Sequence, residues 1–139
     1  RGGYVLAEAT AGTPLKAVIV ATGSELQLAL AAQALLGARG LPTRVVSLPS
    51  TTVFDRQDRH YRREVLALDA PGVVRVAVEA GCTRGWAEVG CSAALGLDRF
   101  GESGPGPALM QHFGFTPEAL AALVVGELER SRAAAGAAA

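Results

Sequence analysis

The sequence predicts an α/β fold of three layers, an open sheet of about five strands with helices on both faces. Three observations carry that prediction. Ala17-Val18-Ile19-Val20-Ala21 is a continuous apolar run, the mark of a strand covered on both faces. Leu28, Ala31, Ala32, Leu35 and Leu36 then recur at the spacing of an amphipathic helix. Arg44-Val45-Val46-Ser47-Leu48 follows between Pro42 and Pro49, and two strands joined through one helix form a parallel crossover unit.

The other elements take their places around that unit. Tyr4 to Ala9 mixes bulky and small residues as an edge strand does, and Ala11-Gly12-Thr13-Pro14 behind it is turn material. Gly37 and Gly40 close the first helix. The segment Asp55 to Glu64 places acids early and arginines late, the order that complements a helix dipole, and predicts one solvated helix. Val73 to Glu79 is the next parallel strand, its apolar run broken only by Arg75. Gly85 to Val89 reads as one or two helical turns and Ala94 to Asp98 as a final short strand. Thr116-Pro117-Glu118 offers an N-cap threonine with proline at the first helical position. Leu120, Leu123, Val124 and Leu128 give the closing helix its apolar stripe. Arg1-Gly2-Gly3 reads as a linker remnant, residues 4–131 as one domain, and the alanine-rich 132–139 as a disordered tail.

Composition excludes several functions. Basic and acidic residues balance at 13 each, so no long-range field draws in nucleic acid or an anionic membrane surface. Lys16 is the only lysine, which leaves no other residue for Schiff-base chemistry. No apolar run of the 18 or more residues of a membrane span is read in the sequence, and the chain is expected to be cytoplasmic. Cys82 and Cys91 form neither a C-x-x-C pair nor a zinc ligand set.

Few side chains point to chemistry. Thr22-Gly23-Ser24 lies where the central strand hands over to a helix, so helix-start N–H groups there could hold an anion, making this loop the candidate regulatory site. Glu25 in the first turn opposes an anion, and the competing reading is ordinary capping by Ser24. Glu79 ends a predicted parallel strand and with Asp98 and Glu102 could form an acidic cluster, the competing reading being ion pairs to Arg84 and Arg99. His60 reads as a surface residue, and His112 as the end of a short helix. Trp86 is an anchor for either the core or a subunit contact.

Several segments, in order, resemble the C-terminal domain of transketolase. They are Arg1-Gly2-Gly3-Tyr4-Val5-Leu6, Ile19 to Glu25, Val45-Val46-Ser47-Leu48-Pro49-Ser50, Phe54-Asp55-Arg56-Gln57-Asp58, Tyr61 to Leu66 and Arg75 to Gly81. Gly96 to Ser103, with its Phe100-Gly101-Glu102-Ser103 core, and Phe113-Gly114-Phe115-Thr116-Pro117-Glu118 complete the set. Gly104-Pro105-Gly106 departs from the family's usual Ser-Ala-Pro pattern.

The resemblance implies a mixed sheet of five strands, four parallel and one antiparallel. It implies a parent homodimer that uses thiamine diphosphate and a divalent metal, magnesium or calcium, to move a two-carbon ketol unit from a ketose phosphate to an aldose phosphate in the pentose phosphate pathway. Those groups are held by upstream domains, so no catalytic, cofactor or metal residue transfers to this chain, which is expected to support the dimer and be inactive alone. Two alternatives stand beside this reading. One is a free-standing α/β ligand-binding or dimerisation module. The other is the corresponding domain of another thiamine enzyme, such as deoxyxylulose phosphate synthase or a keto-acid dehydrogenase β-subunit.

Overall fold

Five strands form one sheet in the order β1-β3-β2-β4-β5. The computed structural model describes residues 1–137. The strands are β1 (Tyr4–Ala7), β2 (Ala17–Ala21), β3 (Thr43–Ser47), β4 (Val74–Val78) and β5 (Ala93–Leu95). The helices are α1 (Glu25–Ala38), α2 (Thr51–Asp55), α3 (Arg59–Val65), α4 (Gly106–His112) and α5 (Pro117–Ala137). Only β1 runs antiparallel, pairing with β3 at the sheet edge, while β2, β3, β4 and β5 are mutually parallel. The expected mixed sheet is present, with helices on both faces.

Two cores sit on opposite faces of β2. Ala17, Ile19 and Ala21 pack with Val45, Val74, Val76 and Val78 beneath α1 and α5, which contribute Ala29, Ala32, Leu36, Leu120, Ala121, Val124 and Leu128. Val18 and Val20 face the other way, toward Val46, Leu48, Phe54, Val65, Leu66, Trp86 and Cys91. Trp86 is therefore a core residue of this domain. Thr116 caps α5 by accepting a hydrogen bond from the Ala119 N–H at 3.1 Å, and Pro117 opens the helix as expected.

The segment read as one helix from Asp55 to Glu64 is two. Asp58 adopts an extended ψ of 152° and its carboxylate accepts from the Tyr61 N–H at 2.8 Å, so a fresh N-cap ends one helix and begins the next. Arginines from the sheet hold the far end of α3. Arg44 and Arg75 both pair in register with Val18, so they lie in one row across the sheet. Arg44 Nη1 donates to the carbonyls of Glu64 at 2.7 Å and Val65 at 3.1 Å. Arg75 Nε donates to Leu66 O at 2.7 Å, and its Nη2 to Ala67 O. Four carbonyls at and just past the end of α3 thereby gain donors from two guanidinium groups, two of them in addition to a backbone N–H.

Residues 1–3 are part of the fold and not a loose linker. Gly2 O accepts from the Ser50 N–H at 3.0 Å, Gly3 O accepts from the Tyr61 hydroxyl at 2.8 Å, and the Arg1 guanidinium lies 4.4 Å from the Tyr61 ring centroid. At Gly2, with φ of 80°, a Cβ would fall 2.4 Å from Phe54 N and 2.6 Å from Ser50 O. At Gly3 it would fall 2.3 Å from Leu48 Cδ1. The glycines are there because the backbone passes too close to α2 for any side chain.

The tail also differs from expectation. α5 continues as helix through Ala137, because alanine has the highest intrinsic helix propensity and an exposed extension needs no docking face. Residues 138 and 139 of the expected disordered tail lie outside the described residues. The stretch Gly106–Ala137 is long and apolar enough to cross a membrane by length and composition, with a mean hydropathy of 1.2 over its best window. This corrects the expectation from sequence that no such stretch is present. The stretch is interrupted between α4 and α5, where Gly114 has φ of 78°, and α5 turns its apolar stripe onto the sheet.

One buried carboxylate ties α5 to the sheet. Glu127 is 8% exposed, is paired with Arg130, and accepts from the Ser92 hydroxyl at 2.7 Å. Its carboxyl is held below the usual range by Arg130 first and by Ser92 second.

Three substitutions test this packing. Gly2→Ala lowers stability by about 1–3 kcal/mol through overpacking, whereas Gly37→Ala, at a helical position with open space around it, raises it by about 0.5–1 kcal/mol. Urea midpoints decide both, and an unchanged Gly2→Ala midpoint would return residues 1–3 to linker status. Because the folded pKa of Glu127 is depressed, its contribution is complete above the unfolded glutamate value near ~4.3 and is lost as pH falls through the lower folded value. The stability gap between wild type and Glu127→Gln therefore narrows on acidification below about pH 4. A gap of constant size across that range would show that the carboxylate charge contributes nothing.

Candidate functional site

Parallel sheets place their loops for ligands at the carboxyl ends of the strands, beside the point where successive connections diverge to opposite faces. Here that point lies between β2 and β4, because the chain passes from β2 to β3 on one side and then returns to β4 on the other. A crevice of about 490 Å³ opens there, lined by Thr22 after β2, by Leu48, Pro49, Ser50 and Thr51 after β3, and by Glu79 after β4. Asp55, Arg84, Gly85, Trp86, Glu88 and Val89 complete its walls. The sequence pointed to Thr22 and Glu79. It gave no sign of the Ser50–Asp55 wall, which exists only because α2 folds back over the sheet.

The Thr22-Gly23-Ser24 loop is only partly in this crevice. Thr22 lines it, while Gly23 and Ser24 are exposed. Ser24 does not cap α1. It has helical dihedrals and no side-chain cap bond, and its hydroxyl donates to Glu25 Oε1 at 2.8 Å. The first N–H groups are also engaged, Glu25 N donating to Thr22 O at 3.3 Å and Leu26 N to Gly23 O at 3.4 Å. Glu25 itself is buried. An anion arriving here would meet a carboxylate and donors that already have partners.

The crevice lining has the same sign. Asp55, Glu79 and Glu88 stand against Arg84 in the lining, with Asp55 also 3.6 Å from the Arg62 guanidinium behind it, and the remaining acidic excess disfavours phosphate and favours cationic or hydroxyl-rich groups. Among the described residues no group of three His, Cys, Asp or Glu could hold a metal ion. The donor set of this chain does not fit a diphosphate with its divalent metal.

The suggested cluster of Glu79, Asp98 and Glu102 is divided among separate partners. Asp98 accepts from the Thr83 N–H at 2.8 Å and the Thr83 hydroxyl at 2.6 Å. Those two bonds, side chain first, hold its carboxyl below the usual range. Glu102 pairs with Arg99 at 2.7 Å and lies 3.5 Å from His112 Nε2. His112 is the last residue of α4, as expected, and His60 is exposed on α3. Cys91 is buried, its thiol pushed up to about 12 by desolvation, which removes it as a nucleophile.

Similarity to known proteins decides the family. The model of the transketolase-like TK C-terminal domain matches residues 2–116. This chain belongs to that family. It is 49% identical over 118 residues to transketolase 1 of Escherichia coli, covering 84% of this chain and 17% of that protein. With the plasmid-encoded transketolase of Cupriavidus necator it shares 47% over 124 residues, covering 88% of this chain and 18% of the relative. In three dimensions it matches a Pichia stipitis transketolase mutant crystallised with xylulose-5-phosphate, with TM-score 0.84, 37% identity, and coverage of 95% of this chain and 18% of that one. The inactive β4 tetramer of a split-gene transketolase also matches, with TM-score 0.69 and 29% identity, covering 91% of this chain and 42% of that chain. The transketolase C-terminal domain described here thus spans about 18% of the length of the curated relatives it matches.

The electrostatics of the crevice yield a direct expectation for this transketolase domain. Inorganic phosphate leaves its melting temperature unchanged, apart from a general salt effect that sulfate reproduces. A saturable, phosphate-specific rise that Gly23→Val abolishes would restore the loop as an anion site.

Proposed function

We propose that this chain is the non-catalytic C-terminal domain of a transketolase that transfers a two-carbon ketol unit from a ketose phosphate to an aldose phosphate in the pentose phosphate pathway. The observation that carries the reading is the family match over residues 2–116, to a domain that makes up about 18% of full transketolases. The domain is proposed to comprise residues 4–131 together with the docked residues 1–3. Thiamine diphosphate and its divalent metal are bound by the upstream domains, in a cytoplasmic homodimer. The acidic excess in the crevice lining supports that division of labour. The domain's own contribution is to present a rigid surface to the rest of the enzyme.

Within the proposed enzyme the Thr22-Gly23-Ser24 loop starts α1, and the crevice beside it suits a cationic or polyhydroxylated group. The test of the main reading is an assay of two proteins. The full-length polypeptide containing this chain transfers ketol units only with thiamine diphosphate and a divalent metal, and the 139-residue chain is inactive under the same conditions. Turnover by the short chain, or none by the full-length protein, would sink the proposal.

A further inference from the structure

Phe100 is 97% exposed, far beyond the other large apolar side chains at the surface, which lie between 36% and 47%. A fully solvated phenylalanine forfeits the whole benefit of burying its ring. The loop that carries it is nevertheless well held. Asp98 is fixed by its two bonds from Thr83, Arg99 bonds Glu102 at 2.7 Å, and the Arg99 guanidinium lies 4.8 Å from the Phe113 ring centroid. A recess of about 590 Å³ opens beside the ring between Cys82–Arg84 and Leu97–Arg99. The ring is thus presented on a pre-ordered loop, the state in which docking costs least conformational entropy.

The Phe100-Gly101-Glu102-Ser103 segment is also one of those through which the chain resembles its family. Its neighbours have roles inside the domain, Glu102 with Arg99 and His112, and Asp98 with Thr83. Phe100 has none. The chain spans about 18% of its relatives' length, which leaves most of the parent polypeptide as the available partner.

We propose that Phe100 is an anchor seated in an apolar recess on the part of the transketolase polypeptide that this chain does not contain, with Arg84, Asp98 and Arg99 as its polar rim. The proposal rests on reading the chain as a transketolase domain. Anchors of this kind are single aromatic residues that enter a desolvated pocket and carry a large share of an interface's energy.

The test uses the full-length protein and does not depend on its activity. By hydroxyl-radical footprinting, Phe100 oxidises about tenfold or more slowly in the native protein than in the urea-unfolded one, as expected of a buried hot spot, while Leu30, exposed on α1, stays reactive. Phe100→p-benzoylphenylalanine then cross-links to peptides upstream of this chain. Oxidation of Phe100 at the unfolded rate overturns the proposal, and so do cross-links that map to a second copy of residues 1–139. Protection with upstream cross-links in a protein lacking ketol transfer would keep the anchor and sink the functional reading instead.

Discussion

Complete burial of one short strand organises this domain. All five residues of β2 are inaccessible to solvent, and the strand is bonded on both edges, to β3 and to β4. A strand with no free edge and no free face demands cover above and below, which α1 and α5 supply on one side and α2 and α3 on the other. The side toward α1 and α5 sets Ala17, Ile19 and Ala21 of the strand against Ala29, Ala32 and Leu36 of α1 and Leu120, Ala121, Val124 and Leu128 of α5. On the opposite face Phe54, Leu66 and Trp86 cover Val18 and Val20.

The crevice is a consequence of the same arrangement. Because β2 and β4 send their chains to opposite faces, their carboxyl ends part and leave a gap that side chains must line. The residues that line it here are acidic in excess, and the N–H groups nearest to it are engaged with loop carbonyls. A fold that elsewhere serves nucleotides and phosphates is thus present with its usual anion site closed by its own residues. Function lives in the site and not in the fold.

The elements governed by periodicity were legible from sequence. The β2 run, the α1 stripe and the Thr116-Pro117 start of α5 are local patterns, and each appears within a few residues of its expected place. What was hidden depends on long-range contact. The break between α2 and α3 turns on whether Asp58 caps a helix or sits inside one, and charge order alone does not distinguish them. Gly2 and Gly3 look like a linker until Phe54 and Tyr61 are brought against them. Ser24 occupies the expected cap position, yet its hydroxyl is claimed by Glu25. Asp98 and Thr83, fifteen residues apart, form a pair that spacing does not reveal.

The imbalance between one lysine and twelve arginines has a structural reason at Arg44 and Arg75. Both interrupt otherwise apolar strands, and a charge there would be a defect if it had to be hidden. Instead each side chain runs along the sheet face to the end of α3, where the planar guanidinium offers several donors at fixed angles to several carbonyls. An ammonium group, a single point charge on a flexible stem, could not bridge carbonyls of successive residues as a rigid fork does. The arginine row therefore fixes α3 relative to the sheet. Through Tyr61 on α3 and its bond to Gly3 it also fixes the path by which the chain enters the domain. Gly2 in turn bonds Ser50, which lines the crevice. Two strand arginines, a helix end, the first three residues and the crevice wall are thus one connected unit, and the direction in which any preceding polypeptide approaches is set by the sheet itself.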